Sequence, residues 1–581
     1  MRVNKKDTIY IVLFFLLLFI FFQYGISKII GFSIFPDEFG YWASAANIIG
    51  WDWSETASLG SYYSYGYSLI LFPLLIVFES SVTAYKAAVA INMLLMGTAF
   101  FLLLKIKRAV YGRERDLKDI ILCILALFYP SWIFYMQMTL TEALLMFMFV
   151  LIIFLYVQLL EQKKIVYGIL FAVSVGYIYV VHMRTVGVVL AACIMMLLMA
   201  VTRKEYRKSV LVFGGTLLVA GVLAALIKNN TIQTVYSHAD SSHVVVNDYA
   251  SKWWIFKELL TLSGIVDLFV SLIGKVFYLG CASLGLFYPA MYWLGKQTWL
   301  LIYKIFWKKE IKNQEWFGFF LFLSVWGEVM ISALGMYRPG NVDGLIYGRY
   351  SEFIMPALLL IGVKQMLESK KLFLKCGLTA GITGAVVPLL ICVVQSRGME
   401  RTRGYHVVGM SYMLTNEYGG ADVYLIKSWL FFAALMFLVT VIIHVVRSIK
   451  HMEWLLCCIV LIEFALGMHA SNHYVYPSNT ANHMDRVITD TIQEHFTEDE
   501  KILFVHDGRT PYVDFLQMQL REKSIHIVEN KELSDCIEHA DYLIIYSDME
   551  KTCDYAVYFE ERVISNQYTL YYYAKEESTG T

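Results

Sequence analysis

The chain is poor in charged residues for its length. Of its 581 residues, 17% are Asp, Glu, Lys or Arg, whereas soluble domains contain about 25%. Positive and negative residues number 48 each, so there is no net basic charge to attract nucleic acid. Apolar residues make up 58% of the chain and the mean hydropathy is +0.56. These values exclude a soluble globular enzyme and a disordered chain.

Cysteine is also sparse, and the nine cysteines do not form the framework of a small secreted protein. Seven lie in apolar stretches, while Cys536 and Cys553 lie in the polar C-terminal part and could pair in an oxidising space. The chain has no internal repeat of domain size, and the C-terminal part has no Gly-rich phosphate loop. A nucleotide-binding role therefore has little support.

Long apolar runs dominate what is present. Since a membrane-spanning helix needs about 20 mostly apolar residues, the sequence predicts a polytopic α-helical membrane protein with about 13 spans. The stretch 66–78 is shorter and contains a proline, so it predicts an interfacial or re-entrant helix. The predicted spans are 8–30, 82–104, 119–136, 142–160, 165–182, 185–201, 209–227, 273–303, 317–335, 350–367, 373–394, 425–446 and 453–469.

The placement of Lys and Arg predicts the orientation. With the N-terminus in the cytoplasm, the cytoplasmic segments hold 25 of the 48 Lys and Arg residues, as the positive-inside rule requires. An odd number of spans then places the C-terminal part outside the cytoplasm. Three external segments are long, namely 31–81, 228–272 and 395–424. The abundance of Ile, Lys and Tyr favours a bacterial source, and therefore a bacterial plasma membrane.

The composition changes after residue 470. We predict a transmembrane unit over 1–470, whose first external loop 31–81 carries interfacial helices, and a small soluble α/β domain over 471–581. Strand-like runs at 501–506, 524–528 and 541–547 alternate with helix-length segments, and 568–575 could add an edge strand.

Acidic residues near the hydrocarbon are functional candidates, since they are expensive there. Asp37 and Glu38 open the first external loop after Pro36, where a helix is expected to begin. An alternative interpretation is an acid at the start of an amphipathic surface helix, among interfacial aromatic rings. Glu142 begins a later span, and Thr139 or Thr141 could cap that helix.

The order of these elements resembles the GT-C superfamily of membrane glycosyltransferases, in particular the branch of protein O-mannosyltransferases and aminoarabinose transferases. The residues that carry the resemblance lie between about 8 and 370. They are the apolar first span running into PDEF-x-YW-x-x-A, the loop ending Y-x-x-GYSLILFP, the span beginning VTAYKAAVAINMLLMGTAFFLLLK, the later FYPSWIFYMQMTLTEALL, and LIYGRYSEFIMPALLLIG.

The resemblance implies an inverting transferase that moves a sugar from a polyprenyl-phosphate donor to a glycan, lipid or protein acceptor on the non-cytoplasmic face. It implies that Asp37 is the general base, a role for which a carboxylate is suited. A second carboxylate can stabilise oxocarbenium character at the anomeric carbon, and Glu38 and Glu142 are the candidates. The candidate cations for the lipid phosphate are Arg349, Arg184 and, more weakly, Lys86. Arg349 is followed by Tyr350 and Pro356, as in the family, and Tyr350 is a further candidate for substrate binding.

Other interpretations stay open. His238, Asp240 and His243 could hold a divalent ion, although no Cys or third His stands nearby; otherwise no cofactor is expected. A polymerase or ligase of cell-surface polysaccharide would instead place its essential residues in the late external loop. A lipid or sugar transporter would show paired halves, which are not evident. The late-loop candidates are Arg397, Arg401, Arg403 and His406.

Overall fold

A computed structural model gives the fold of the chain. Helices account for most of it, and a small sheet lies near the C-terminus. The structure describes residues 5–32, 35–111, 117–239, 254–335, 344–397, 404–413, 421–497, 500–509, 513–549 and 557–573.

The first half of the chain consists of helices of very different lengths. The long ones are apolar, and the short ones belong to the first external loop or to breaks between spans. In order they are α1 (Lys5–Lys28), α2 (Asp37–Ile48), α3 (Ser54–Ser58), α4 (Ser68–Val77), α5 (Ser81–Tyr111), α6 (Leu117–Leu127), α7 (Pro130–Tyr135), α8 (Thr141–Gln162), α9 (Ile165–Val181), α10 (Val186–Thr202) and α11 (Arg207–Val235).

The second half continues the helical bundle and then leaves it. The helices are α12 (Trp254–Glu258), α13 (Leu262–Ala282), α14 (Phe287–Phe306), α15 (Asn313–Gly335), α16 (Met355–Glu368), α17 (Leu372–Ser396), α18 (Ala421–Ser448), α19 (Leu456–Ala470), α20 (Tyr476–His483), α21 (Arg486–His495), α22 (Val513–Leu520) and α23 (Leu533–Cys536). A π-helical turn, Ser471–Val475, joins α19 to α20, so the helix does not stop at the predicted domain boundary after residue 470.

Ten helices in the described part of the chain are long and apolar enough to cross a membrane. They correspond to ten of the thirteen predicted spans. The other three predicted spans are shorter in the structure, because 119–136 is broken between α6 and α7, 165–182 forms the 17-residue α9, and 350–367 forms the 14-residue α16. The predicted short helix at 66–78 is confirmed as α4, of 10 residues.

Two breaks have local causes. Tyr129 is extended because Pro130 follows it, and this separates α6 from α7. Leu284 and Gly285 both have positive φ, of 50° and 82°, and they divide the predicted span 273–303 into α13 and α14. A Cβ at Gly285 would lie 2.6 Å from the sulfur of Met436. Glycine is therefore required there by both conformation and space.

The aromatic residues of the first external loop lie inside the protein and not at a lipid surface. Trp42, Tyr41 and Tyr67 are fully buried, and Trp53 is almost so. The ring of Tyr63 packs directly over Gly40 in α2. The loop is thus a packed layer on one end of the bundle, and it holds α2 in a fixed position.

The C-terminal sheet confirms the four predicted strands and adds one. Its order is β2-β1-β3-β5-β4, with β1, β2 and β3 parallel and β5 antiparallel to both neighbours. The run at 568–575 is therefore an interior strand and not an edge strand, because the short β4 covers its outer side. The strands are β1 (Ile502–His506), β2 (Ile525–Glu529), β3 (Tyr542–Tyr546), β4 (Glu561–Ile564) and β5 (Tyr568–Tyr572).

The sheet domain is fastened to the first external loop. Arg521, just after α22, donates to the backbone oxygens of Leu75 and Phe78 at 2.9 and 3.0 Å. Glu55 in α3 accepts from the Ile527 amide at 2.6 Å and contacts the imidazole of His526 at 2.9 Å. The domain therefore packs against the segment that carries Asp37.

Candidate active site

The first turn of α2 supplies two carboxylates, as the sequence predicted. The helix begins at Asp37, directly after Pro36, and acids in a first turn interact favourably with the helix dipole. Adjacent helical side chains diverge by about 100°, so the two acids face different surroundings. Glu38 is fully buried, whereas the side chain of Asp37 is 22% exposed.

Glu38 points into the packed interior. One of its oxygens accepts hydrogen bonds from the Tyr85 hydroxyl at 2.6 Å, the Thr139 amide at 2.7 Å and the Thr139 hydroxyl at 3.0 Å. Thr139 therefore does not cap α8, and neither does Thr141, since that helix has no side-chain cap. Glu38 ties α2 to α5 and to the turn before α8, which is a positioning role.

Asp37 faces Arg349, from a turn 312 residues later in the chain. Arg349 Nη2 donates to Asp37 Oδ2 at 2.7 Å, and the Tyr63 hydroxyl donates to the other oxygen at 3.0 Å. Arg349 Nε donates to Glu142 at 2.7 Å. One guanidinium thus joins the carboxylate of α2 to the carboxylate of α8, and three sequence-predicted residues meet at one place.

Arg184 and Tyr350 complete this cluster. Arg184 Nη2 donates to Glu142 at 3.0 Å, and both side chains are essentially inaccessible to solvent. Within the described part of the chain, the Nε and Nη1 atoms of Arg184 have no hydrogen-bond partner. Its guanidinium lies 4.7 Å from the centre of the Tyr350 ring, and that of Arg349 lies 4.4 Å from the Phe35 ring. Such cation–π contacts stabilise a guanidinium that is buried and desolvated.

Lys86 was the weaker of the predicted phosphate-binding cations. It follows Tyr85 in α5, is half-buried, and makes no ion pair with the described residues. Arg397, one of the basic candidates predicted in the late loop, is paired with Asp267. Arg401 and Arg403 lie outside the described residues.

A third buried cation was missed in the sequence analysis. Lys275 in α13 is fully buried and lies 5.9 Å from the centre of the Tyr347 ring. Tyr347 contacts the rings of both Tyr350 and His406, at 5.0 and 4.9 Å. Lys275 therefore joins the cluster through aromatic side chains. A lysine inside an apolar span was the available signal, since ionisable residues there are rarely without function.

Glu352 is a second residue that the sequence analysis missed. It is fully buried, and one of its oxygens accepts from the hydroxyls of Tyr129, Ser131 and Tyr278. The Tyr278 hydroxyl also accepts from the Gly409 amide at 3.1 Å. Glu352 therefore links four segments of the chain directly behind the turn that carries Arg349.

The predicted metal ligands cannot be assembled from the described residues. His238 is described, while Asp240 and His243 lie outside the described ranges. No group of three metal-ligating side chains occurs in the part of the chain that the structure describes. Cys553 also lies outside it, so its pairing with Cys536 stays a prediction.

Comparisons with solved structures extend over nearly the whole chain. Apo ArnT, an aminoarabinose transferase of the GT-C superfamily from Cupriavidus metallidurans, matches with a TM-score of 0.54 at 11% identity, over 98% of each chain. The same protein bound to undecaprenyl phosphate matches with a TM-score of 0.53 at 10% identity, over 97% of this chain and 98% of that one.

A third match is AglB, the oligosaccharyltransferase of Archaeoglobus fulgidus, in complex with an inhibitory peptide and a dolichol-phosphate. Its TM-score is 0.42 at 11% identity, over 92% of this chain and 70% of that one. No protein-family model and no curated protein sequence matches the chain. The chain is thus an integral membrane protein with the fold of ArnT, which agrees with the fold that the sequence resemblance implied.

Proposed function

We propose that the protein is an inverting glycosyltransferase that moves a sugar from a polyprenyl-phosphate donor to an acceptor hydroxyl on the non-cytoplasmic face of the membrane. The observation that carries this proposal is the convergence of Asp37, Glu142, Arg184 and Arg349 at the outer end of the bundle. The fold supports it, since ArnT, which shares this fold over 98% of its own length, has been solved with undecaprenyl phosphate.

In the proposed reaction Asp37 is the general base. It takes the proton of the acceptor hydroxyl, whose oxygen forms a bond to the anomeric carbon from the side opposite the phosphate. The bond between that carbon and the phosphate oxygen breaks, and its electron pair leaves with the polyprenyl phosphate, so the anomeric configuration inverts. A positioned base contributes about 10²–10⁴-fold to such a step.

The arginines serve the leaving group. Arg349 already pairs with Asp37, and a guanidinium can donate two parallel hydrogen bonds to a phosphate. Glu142 holds both guanidiniums in place, and together with Asp37 it balances their two positive charges. Tyr350, Lys275 and Lys86 are further candidates for contacts with the donor, and Glu38 positions the helix that carries the base.

The proposal includes an orientation and a location. The Lys and Arg bias favours a cytoplasmic N-terminus and an extracytoplasmic C-terminal domain, in a bacterial plasma membrane. The acceptor is a glycan, a lipid or a protein that is accessible from that face.

The test is complementation of a deletion strain. Loss of a cell-surface carbohydrate upon deletion identifies the product, and the wild-type chain restores it. We expect Asp37→Asn to restore none of it, although the variant is inserted and still binds undecaprenyl phosphate in purified form. Asp490→Asn, which alters an exposed ion pair in α21, is the matched control and restores the product. Full complementation by Asp37→Asn would refute the assignment of the base.

A polysaccharide polymerase or ligase makes the opposite prediction. It depends on the late external loop, so that Arg401→Ala abolishes the product and Asp37→Asn does not. A transporter predicts that purified protein moves the lipid-linked sugar across vesicles without an acceptor. The two variants and the vesicle experiment together separate the three functions.

A further inference from the structure

A second site lies at the other end of the bundle. A cavity of about 360 Å³ opens where the break between α13 and α14 leaves space beside α16, α17 and α18. The helix α16 begins just after the Arg349 turn, and its last turn reaches this cavity through Gln365 and Met366. Fourteen helical residues span about 20 Å, so the cavity is near the membrane face opposite to the candidate active site.

The walls of the cavity are those of a hydrocarbon site. Leu284, Pro289, Met436 and Ile382 are among the side chains that line it, and the polar exceptions are few. Ile382 is 66% exposed and belongs to α17, an apolar helix long enough to cross the membrane. Because exposed apolar side chains of such a helix face lipid, the cavity opens sideways into the bilayer.

The rim of the cavity is positively charged. Lys375 lines it, and its ammonium group lies 5.7 Å from the centre of the Tyr292 ring, which also lines it. Lys370 and Lys371, in the turn just before α17, are exposed. The one acidic residue of this turn, Glu368, is paired with Lys364. Lys375 therefore lines an apolar cleft, and the turn just before its helix carries two further exposed lysines.

We propose that this cavity binds one anionic phospholipid of the leaflet opposite to the active site. An acyl chain fills the apolar cleft, and the phosphate of the headgroup contacts Lys375 and the lysines of the preceding turn. The acyl chain moves from one apolar environment into another, so the charge beside the cleft decides which lipid is selected, and basic pockets between membrane helices select anionic headgroups. The site is separate from that of the proposed donor, whose phosphate is bound at the other face.

The experiment uses the full chain in nanodiscs that contain equal amounts of phosphatidylglycerol and phosphatidylcholine. The protein is extracted gently, and the lipids that it retains are counted by native mass spectrometry. We expect one retained phosphatidylglycerol. Lys375→Gln should reduce its affinity about five-fold, the loss expected from one lysine near the surface, while Lys312→Gln, in a different Lys-rich turn, should have no effect.

A second variant tests the cleft itself. Thr379→Trp fills the cavity, and it should abolish retention of the lipid without changing the donor affinity of the active site. Retention of phosphatidylcholine in equal amount would overturn the charge argument. Unchanged retention in both variants, or an equal loss in Lys312→Gln, would each overturn the proposed site.

Discussion

Glu142 and Asp37 both pair with Arg349, but the structure predicts that their removal affects stability very differently. In Glu142→Gln, the guanidinium of Arg184 loses its ion-pair partner in a place where its side chain has no solvent exposure. Removal of one partner of a buried ion pair typically costs about 3–5 kcal/mol. In Asp37→Asn, Arg349 keeps Glu142, and the lost pair is partly exposed. We expect that variant to lose no more than about 1 kcal/mol of stability.

The assay is equilibrium unfolding by dodecyl sulfate in mixed micelles, followed by the fluorescence of the 13 tryptophans. Activity is measured on the same preparations. Asp37→Asn should unfold near the wild-type midpoint while its activity falls about 10²–10⁴-fold, whereas Glu142→Gln should lose both stability and activity. The double variant Glu142→Gln/Arg184→Met removes the unpaired charge, so it should be more stable than Glu142→Gln alone. Equal destabilisation by the two single variants, or no gain in the double variant, would refute this account of the cluster.

Three further predictions concern the surroundings of the site. Glu352→Ala removes the acceptor of three buried hydroxyls and should lower the free energy of unfolding by about 1–3 kcal/mol. It should also raise the KM for the donor by displacing the Arg349 turn. Glu352→Gln keeps an acceptor oxygen, so it should restore most of the stability and most of the donor affinity. Gly66→Ala places a Cβ 2.5 Å from the backbone of Val181, whereas the nearest atom to a Cβ at Gly60 is 3.5 Å away, so thermal unfolding should show a clear loss in the first variant and little change in the second. The hydrogen bond with Glu55 raises the pKa of His526 above its ordinary value, so its contribution to docking is present at low pH and is lost as the pH rises through the raised pKa. Hydrogen exchange in β2 should therefore be faster at about pH 8.5 than at about pH 5.5, beyond the intrinsic pH effect, and His526→Gln should remove that difference; an unchanged difference would contradict it.

The sequence predicted the parts of the fold that depend on local signals. Pro36 marks the start of α2, short apolar runs between helix-length segments mark the strands, and long apolar runs mark most of the spans. The strand β4 was missed because ERVI is short, polar and mostly exposed. The breaks at Tyr129 and Leu284 were also missed, since hydropathy averaged over a span is insensitive to one or two residues with unusual backbone angles.

The candidate site was predictable as a list of residues but not as an arrangement. Asp37, Glu142, Arg184 and Arg349 were selected for their positions near one face, and they do converge. The difference between Asp37 and Glu38 depends on Tyr63, Tyr85 and Thr139, which are distant in the chain and carry no motif. The importance of Glu352 likewise comes from three hydroxyls on two other segments. Such contacts follow from tertiary packing alone.

The attachment of the sheet domain to the first external loop has a consequence for chimaeras between this protein and others of the same fold. Arg521 donates to the backbone oxygens of Leu75 and Phe78, and the Ile527 amide donates to the side chain of Glu55. The surfaces of the loop and the domain are therefore complementary. An exchange of residues 471–581 alone would pair a foreign domain with the native loop and disturb α2. An exchange of the loop together with the domain would preserve the complementary surface. These two distant stretches of sequence therefore have to be transferred together in a chimaera.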